Sequence, residues 1–349
     1  MRTFDYRHLP QKLFEGKVGD ANVRLYEDRG KLELLKVMHP AELNALRERA
    51  HFDNVDASTR VEGLYVDTER VHGLVAGTAE PLGETEAQIV GYSNALRLIE
   101  GEAETLDLST TSIVTFYETL YAYRDLGRKS RYRKKDYMYV QVDGRPQAVP
   151  VSPITAFETP LVLGGACDSL SDAFQVDACS PLILNAVFTV DFLCIRPFDE
   201  GNGRIARLFS LLMLEKAGFD IARYVSIDRI MEKSGMAYYD ALNDCVEGWD
   251  RSANDYEPFA LYWLNVLHEA YQRLFSEING RTSGPGGKTA RVRAFVSRAG
   301  EPVTKRDILA ACPDISEATV ENALGAMVKS GEARKVGAGR STAYEWASS

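Results

Sequence analysis

The chain has 349 residues, 45% of them hydrophobic, and a formal net charge of −9. That length suits two or three domains with a real core, and the acidic balance argues against nucleic acid or an anionic membrane surface as the dominant partner of the whole chain. Five cysteines (Cys167, Cys179, Cys194, Cys245 and Cys312), scattered and without CxxC spacing, point to reduced thiols rather than a disulfide framework or a zinc site. The N-terminal MRTFDYRHLP lacks an apolar core and no stretch approaches the roughly 18 apolar residues of a membrane span, which predicts a soluble cytoplasmic protein with no membrane partner.

The first fifty residues predict one or two helices, the last being HPAELNALRERA with Pro40 in its first turn. In NVDASTRVEGLYV, Ser58 is a candidate N-cap and Gly63 a stop for a short turn. Apolar spacing predicts helices over 85–100 and 109–124. Between 131 and 151 the residues alternate around Asp143-Gly144, the pattern of a β-hairpin. Its lead-in (Arg128, Lys129, Arg131, Arg133, Lys134, Lys135) reads as a solvated basic face or, alternatively, a docking surface for an acidic partner. SPLILNAVFTVDFLCI, 180–195, predicts a helix buried on most sides, and RIARLFSLLMLEKAGF a second one stopped by Gly218. Further helices are expected around AYYDALNDCVEGW and YEPFALYWLNVLHEAYQRLFSEI. NGRTSGPGGK, 279–288, has the composition of a linker. Beyond it lie two helical patterns, the second capped by Ser316, then strands from Ala333 to Val336 and Thr342 to Trp346 about Gly337-Ala338-Gly339, the order of a winged helix-turn-helix.

The segment CIRPFDEGNGRIARLF joins the two apolar helices. Gly201, Asn202 and Gly203 tolerate the dihedrals that aim successive backbone N–H groups one way, and a helix starting beside them adds its dipole, so the loop suits an anion. Arg204 and Arg207 bring two charged forks to that end. Glu200 would repel bare phosphates unless a divalent cation such as Mg²⁺ bridges them.

Pro197, Phe198, Glu200, Gly201, Asn202, Gly203, Arg204 and Arg207 resemble the signature of the Fic (Fic/Doc) family, H-P-F-x-[D/E]-G-N-G-R-x-x-R. The resemblance extends from about residue 58 to 275 and implies a mainly α protein: a Fic helical core with a β-hairpin flap, followed here by the winged helix. The implied organisation is an N-terminal helical extension (1–57), a Fic domain (58–278), a linker (279–288) and a winged-helix domain (289–349). The implied activity is AMPylation, the transfer of AMP from Mg²⁺-bound ATP to a Ser, Thr or Tyr hydroxyl. By the family pattern Glu200 holds Mg²⁺, the Gly201–Gly203 backbone and Arg204 hold phosphates, Arg207 meets the γ-phosphate and Phe198 fixes the loop. The hairpin at 137–150 would align a target protein by strand addition. Tyr238, Tyr239 and Asn243 are candidates for an adenine pocket, with core packing the competing role for the tyrosines. Gly203 stands where the Doc branch has lysine, which argues against γ-phosphate transfer.

Ser58 to Gly63, STRVEG, resembles the family's inhibitory signature, in which the glutamate, here Glu62, pairs with the second motif arginine and bars the γ-phosphate. In some relatives that glutamate also supports AMP removal. One departure stands out. Arg196 occupies the place of the family's histidine, and a guanidinium has no lone pair with which to accept a proton. Losing a general base costs about 10² to 10⁴ in rate. The sequence therefore supports an AMP transferase restrained at Glu62 and impaired at Arg196, or a degenerate nucleotide-binding regulator acting through its winged helix. In that module the candidate recognition helix carries Glu317 and Glu321 against Lys329, while the wing offers Arg334, Lys335 and Arg340. Protein interaction or homo-oligomerisation suits it better than DNA binding.

Overall fold

The computed structural model describes residues 2–123, 131–142, 145–150, 152–283, 285–313, 315–337 and 342–347. The chain forms two compact units, Met1–Arg273 and Leu274–Ser349.

The first unit is helical apart from one hairpin. In chain order it holds α1 (Gly16–Met38), α2 (Pro40–Val61), α3 (Thr68–Val75), α4 (Glu84–Glu102), α5 (Thr110–Leu120), β1 (Tyr137–Val142), β2 (Arg145–Pro150), α6 (Thr159–Gln175), α7 (Pro181–Ile195), α8 (Asn202–Lys216), α9 (Ile227–Ser234), α10 (Met236–Asn243) and the start of α11 (Glu257–Ser283). The strands pair antiparallel, Tyr137 opposite Pro150 and Val142 opposite Arg145, while the expected Asp143-Gly144 turn lies outside the described residues.

Helices α7 and α8 form the centre. Ser180 caps α7 by accepting the Leu182 N–H, Pro181 fills the first turn, and the helix is buried along nearly its whole length. Within it, the buried Asp191 carboxylate accepts from Tyr6, Trp249 and Tyr256 and pairs with Arg2, so the N-terminal residues are strapped onto this helix.

Three expectations are corrected. Ser58 does not cap a new turn: the helix begun at Pro40 runs on to Val61, because nothing breaks it before Gly63, whose φ of 73° ends it. That continuous helix crosses the expected 57/58 boundary. The basic lead-in to the hairpin is not uniformly solvated. Arg133 is buried and Arg131 pairs with Glu118 at 2.7 Å, leaving Lys134 and Lys135 exposed; Arg128 and Lys129 lie outside the described residues. The expected linker, 279–288, is largely helical: α11 extends to Ser283 and α12 (Pro285–Arg298) begins on a proline, which suits a first helical turn.

The second unit continues from α12 through β3 (Val303–Thr304), α13 (Lys305–Ala311), α14 (Glu317–Ser330), β4 (Ala333–Val336) and β5 (Ala343–Trp346). The sheet order is β3-β5-β4. Thr304 and Asp307 form a capping box on α13, and Ser316 caps α14 by accepting the Thr319 N–H. Val292, Val296, Ile308, Val320, Leu324 and Met327 make its core. The glycine turn between β4 and β5, with Arg340, falls mostly outside the described residues. No helix among the described residues is long and apolar enough to cross a membrane.

Candidate functional site

The site is assembled where α7 hands over to α8. Arg196 ends α7 in the left-handed region (φ 49°, ψ 65°) while its N–H still donates to the Phe192 carbonyl at 2.9 Å. This geometry is uncommon for a residue with a Cβ, and the neighbours hold it. Arg133 Nε donates to the Arg196 carbonyl at 3.0 Å, and the Pro197 carbonyl accepts the Arg133 N–H at 2.8 Å. The buried Ser152 hydroxyl donates to the Cys194 carbonyl at 2.7 Å. The Arg196 side chain itself is exposed.

The loop that follows is fixed from inside. Phe198 is fully buried and stacks on Tyr117, ring centroids 4.2 Å apart, with Tyr132 parallel to it at 6.1 Å. Asn202 locks the turn reciprocally: its Oδ1 accepts the Phe198 N–H at 3.0 Å and its Nδ2 donates to the Phe198 carbonyl at 2.8 Å. Gly201 takes φ 76°, and a Cβ there would lie 2.7 Å from the Tyr121 hydroxyl. At Gly203 a Cβ would come within 2.6 Å of Glu62 Oε1 and 3.4 Å of Arg207 Nη1. Glycine at 203 therefore makes room for a carboxylate and a guanidinium side by side at the start of a helix.

The two arginines of the motif part company. Arg204 is turned into the protein, its Nη1 donating to Gln88 at 2.6 Å and its Nη2 to the Tyr121 hydroxyl at 3.1 Å. Arg207 is only 4% exposed yet reaches the cavity. Its Nε and Nη2 donate to Ser58 Oγ at 3.2 and 2.9 Å, and Nη2 also meets Glu62 Oε1 at 3.0 Å. Behind it the buried Asp228 carboxylate lies 3.8 Å from Nε and accepts the Tyr92 hydroxyl at 2.5 Å. Burial opposes the charge on Arg207, but Glu62 and Asp228 outweigh it and hold the group firmly protonated. Burial raises the Asp228 carboxyl above the usual carboxylate range, with Arg207 and Tyr92 pulling the other way. Glu62, the residue after the last of α2, is 27% exposed through its side chain.

One cavity of about 410 Å³ brings together Glu62, Arg196, Gly201, Asn202, Gly203, Arg207, Tyr238, Tyr239 and Asn243. Val190, Leu193, Leu242 and Val246 complete an apolar flank. Two residues picked out by the sequence do not line it: Arg204, for the reason above, and Glu200, which sits half-buried on the loop near Tyr121. Tyr238 is buried and packs edge-on against Tyr239 at 5.1 Å, so the tyrosines combine core packing with cavity lining. Among the described residues no group of three His, Cys, Asp or Glu side chains is placed to hold a metal by itself. The sequence did not point to Asp228, Tyr92, Gln88 or Tyr121, which reach the site through contacts 21 to 136 positions away.

Residues 107–214, from just before α5 to near the end of α8, match the model of the Fic/DOC family. Solved structures with the same fold include a Fic family protein from Desulfovibrio desulfuricans G20 (TM-score 0.59, 19% identity, covering 94% of this chain and 96% of that one). A Fic domain containing signaling protein from Bacteroides thetaiotaomicron VPI-5482 gives 0.56 at 18% identity, over 72% of this chain and 95% of that one. Fic-1 from C. elegans gives 0.58 at 18% identity, over 76% and 73%. No curated protein matches the chain by sequence.

Proposed function

We propose that the chain is a Fic-type nucleotidyltransferase that moves AMP from Mg²⁺-bound ATP to a hydroxyl of a target protein, restrained by Glu62 and impaired by Arg196. The observation that carries this reading is the Glu62–Arg207 pair, 3.0 Å long, seated over the space left by the missing Cβ of Gly203. A carboxylate there occupies what would otherwise be an anion site at a helix start. The cavity volume suits a nucleotide. Gly201–Gly203 and Arg207 would bind the phosphates, and Glu200, which precedes Gly201 on the loop outside the cavity lining, would have to turn inward to hold the Mg²⁺ that neutralises them. Tyr238, Tyr239 and Asn243 would form the base side. In the transfer the target oxygen bonds to the α-phosphorus, pyrophosphate leaves and the hydroxyl proton must go to a base. Arg196, a guanidinium with no lone pair to offer, cannot take it. That single fact favours a second reading, a nucleotide-binding regulator whose C-terminal unit acts as a winged-helix interaction module.

The test is labelling with ATP carrying its label on the α-phosphate. Arg196→His is expected to raise self-labelling, and adding Glu62→Gly to raise it beyond the product of the single changes, since phosphate seating and proton removal serve one step. Equal labelling by the unaltered chain and the double variant contradicts the transferase reading.

A further inference from the structure

Helix α2 ends at the site, and its end needs partners. The last four carbonyls of a helix have none within the helix. In α2 the Thr59 carbonyl accepts the N–H groups of Glu62 (3.2 Å) and Leu64 (3.1 Å), and the Arg60 carbonyl accepts that of Gly63 (2.9 Å). The Val61 carbonyl, directly before Glu62, accepts instead from the Tyr239 hydroxyl at 3.0 Å. Tyr239 belongs to α10, 178 positions away, and Asn243 follows it one helical turn later on the same cavity wall. Its ring is set edge-on against the buried Tyr238.

We propose that Tyr239 is a positioning residue for Glu62: its hydroxyl pins the end of α2 to the base side of the cavity and so keeps the Glu62 carboxylate on Arg207. This rests on Glu62 being the group that competes with phosphate. Beyond the backbone bonds of the helix end and the Ser58 carbonyl on Arg207, two ties flank Glu62, the charge pair with Arg207 at one side and the Tyr239–Val61 bond at the other. The second tie runs through the wall that a nucleobase would press on, so seating a base and releasing Glu62 are mechanically linked. Tyr239 thereby combines two tasks, the ring lining the cavity and the hydroxyl restraining the helix end.

The variant Tyr239→Phe separates them, since it removes only the hydroxyl, and at 42% exposure the site tolerates the change without loss of fold. In an Arg196→His background labelling is expected to rise about two- to tenfold, the range of one net hydrogen bond. In Arg196→His with Glu62→Gly, where no carboxylate is left to position, Tyr239→Phe should give no rise in labelling. A merely structural or base-stacking role lowers labelling in both backgrounds and overturns the proposal, as does no change in either. Amide hydrogen exchange reads the link without any transfer chemistry. Protection at Glu62, Gly63 and Leu64 should fall about two- to tenfold in Tyr239→Phe, and unchanged protection overturns the proposal whether or not the chain labels at all.

Discussion

The loop entering α8 and the last turn of α2 meet across one arginine, yet they are built on opposite plans. The loop is held from the interior: a buried phenylalanine stacked on one tyrosine ring with a second parallel to it, an asparagine bonded twice to the same residue, and a glycine that no other residue could replace without a clash. The last turn of α2 starts from the buried Ser58, bonded to Arg207, but its final residues are held from the cavity side, by a partly exposed carboxylate and one tyrosine hydroxyl. A cradle must keep its shape whether or not an anion is bound, and buried packing provides that. A restraint must give way, and a tie facing the cavity can be exchanged for a phosphate. On the proposed function, that difference separates scaffold from switch within one site.

Stability measurements sharpen this contrast most strongly. Phe198→Ala is expected to destabilise the chain by about 3–5 kcal/mol, the cost of truncating a fully buried phenylalanine, whereas Glu62→Gly should cost about 1 kcal/mol or less, because Ser58 and Asp228 stay with Arg207. Urea denaturation of both variants checks it, and similar losses would erase the distinction between the two halves.

A smaller effect concerns how α2 is moored on its outer side. Arg229 on α9 meets Asp56 at 2.6 Å, and Arg60 meets it at 3.1 Å. Burial pushes the Asp56 carboxyl up, but the two arginines prevail and hold it below the usual range. With the folded value depressed, this link contributes fully above pH ~4 and is lost as pH falls through the folded pKa. Asp56→Asn should therefore show a shallower fall in urea midpoint between about pH 4 and pH 2 than the unaltered chain. An identical slope would show that this ion pair does not moor the helix.

How much of this was legible in the sequence follows the same division. The loop was, because its requirements are local: Gly201, Asn202 and Gly203 sit together, and the apolar helices on each side are continuous runs. Even there, the task of Asn202 was visible only as dihedral tolerance, since its bonds to Phe198 depend on the turn already being closed. Arg204 looked equivalent to Arg207 by spacing. Their separation is decided by Gln88 and Tyr121 on one side and by Ser58 and Asp228 on the other, 21 to 149 positions away. Ser58 reads as a cap because Ser-Thr before a glycine fits a turn locally, whereas the helix from Pro40 runs on through it. Helices α3, α6 and α9 gave no clear sequence signal: two are eight residues long, and α6 contains a Gly164-Gly165 pair that weakens its helical propensity. The composition of 279–288 suggested a linker because glycine, serine and proline are weak helix formers, yet helices occupy most of it.

Competition for Arg207 is the central claim, and calorimetry tests it without requiring any turnover. With Mg²⁺ present, ATP and ADP are titrated into the unaltered chain and into Glu62→Gly. On the proposed function the γ-phosphate would take the seat that Glu62 occupies on Arg207, so Glu62→Gly should tighten ATP by about tenfold or more, the worth of one charge-assisted bond, and leave ADP unchanged. If ATP and ADP tighten equally, or neither responds, Glu62 and the terminal phosphate do not share Arg207.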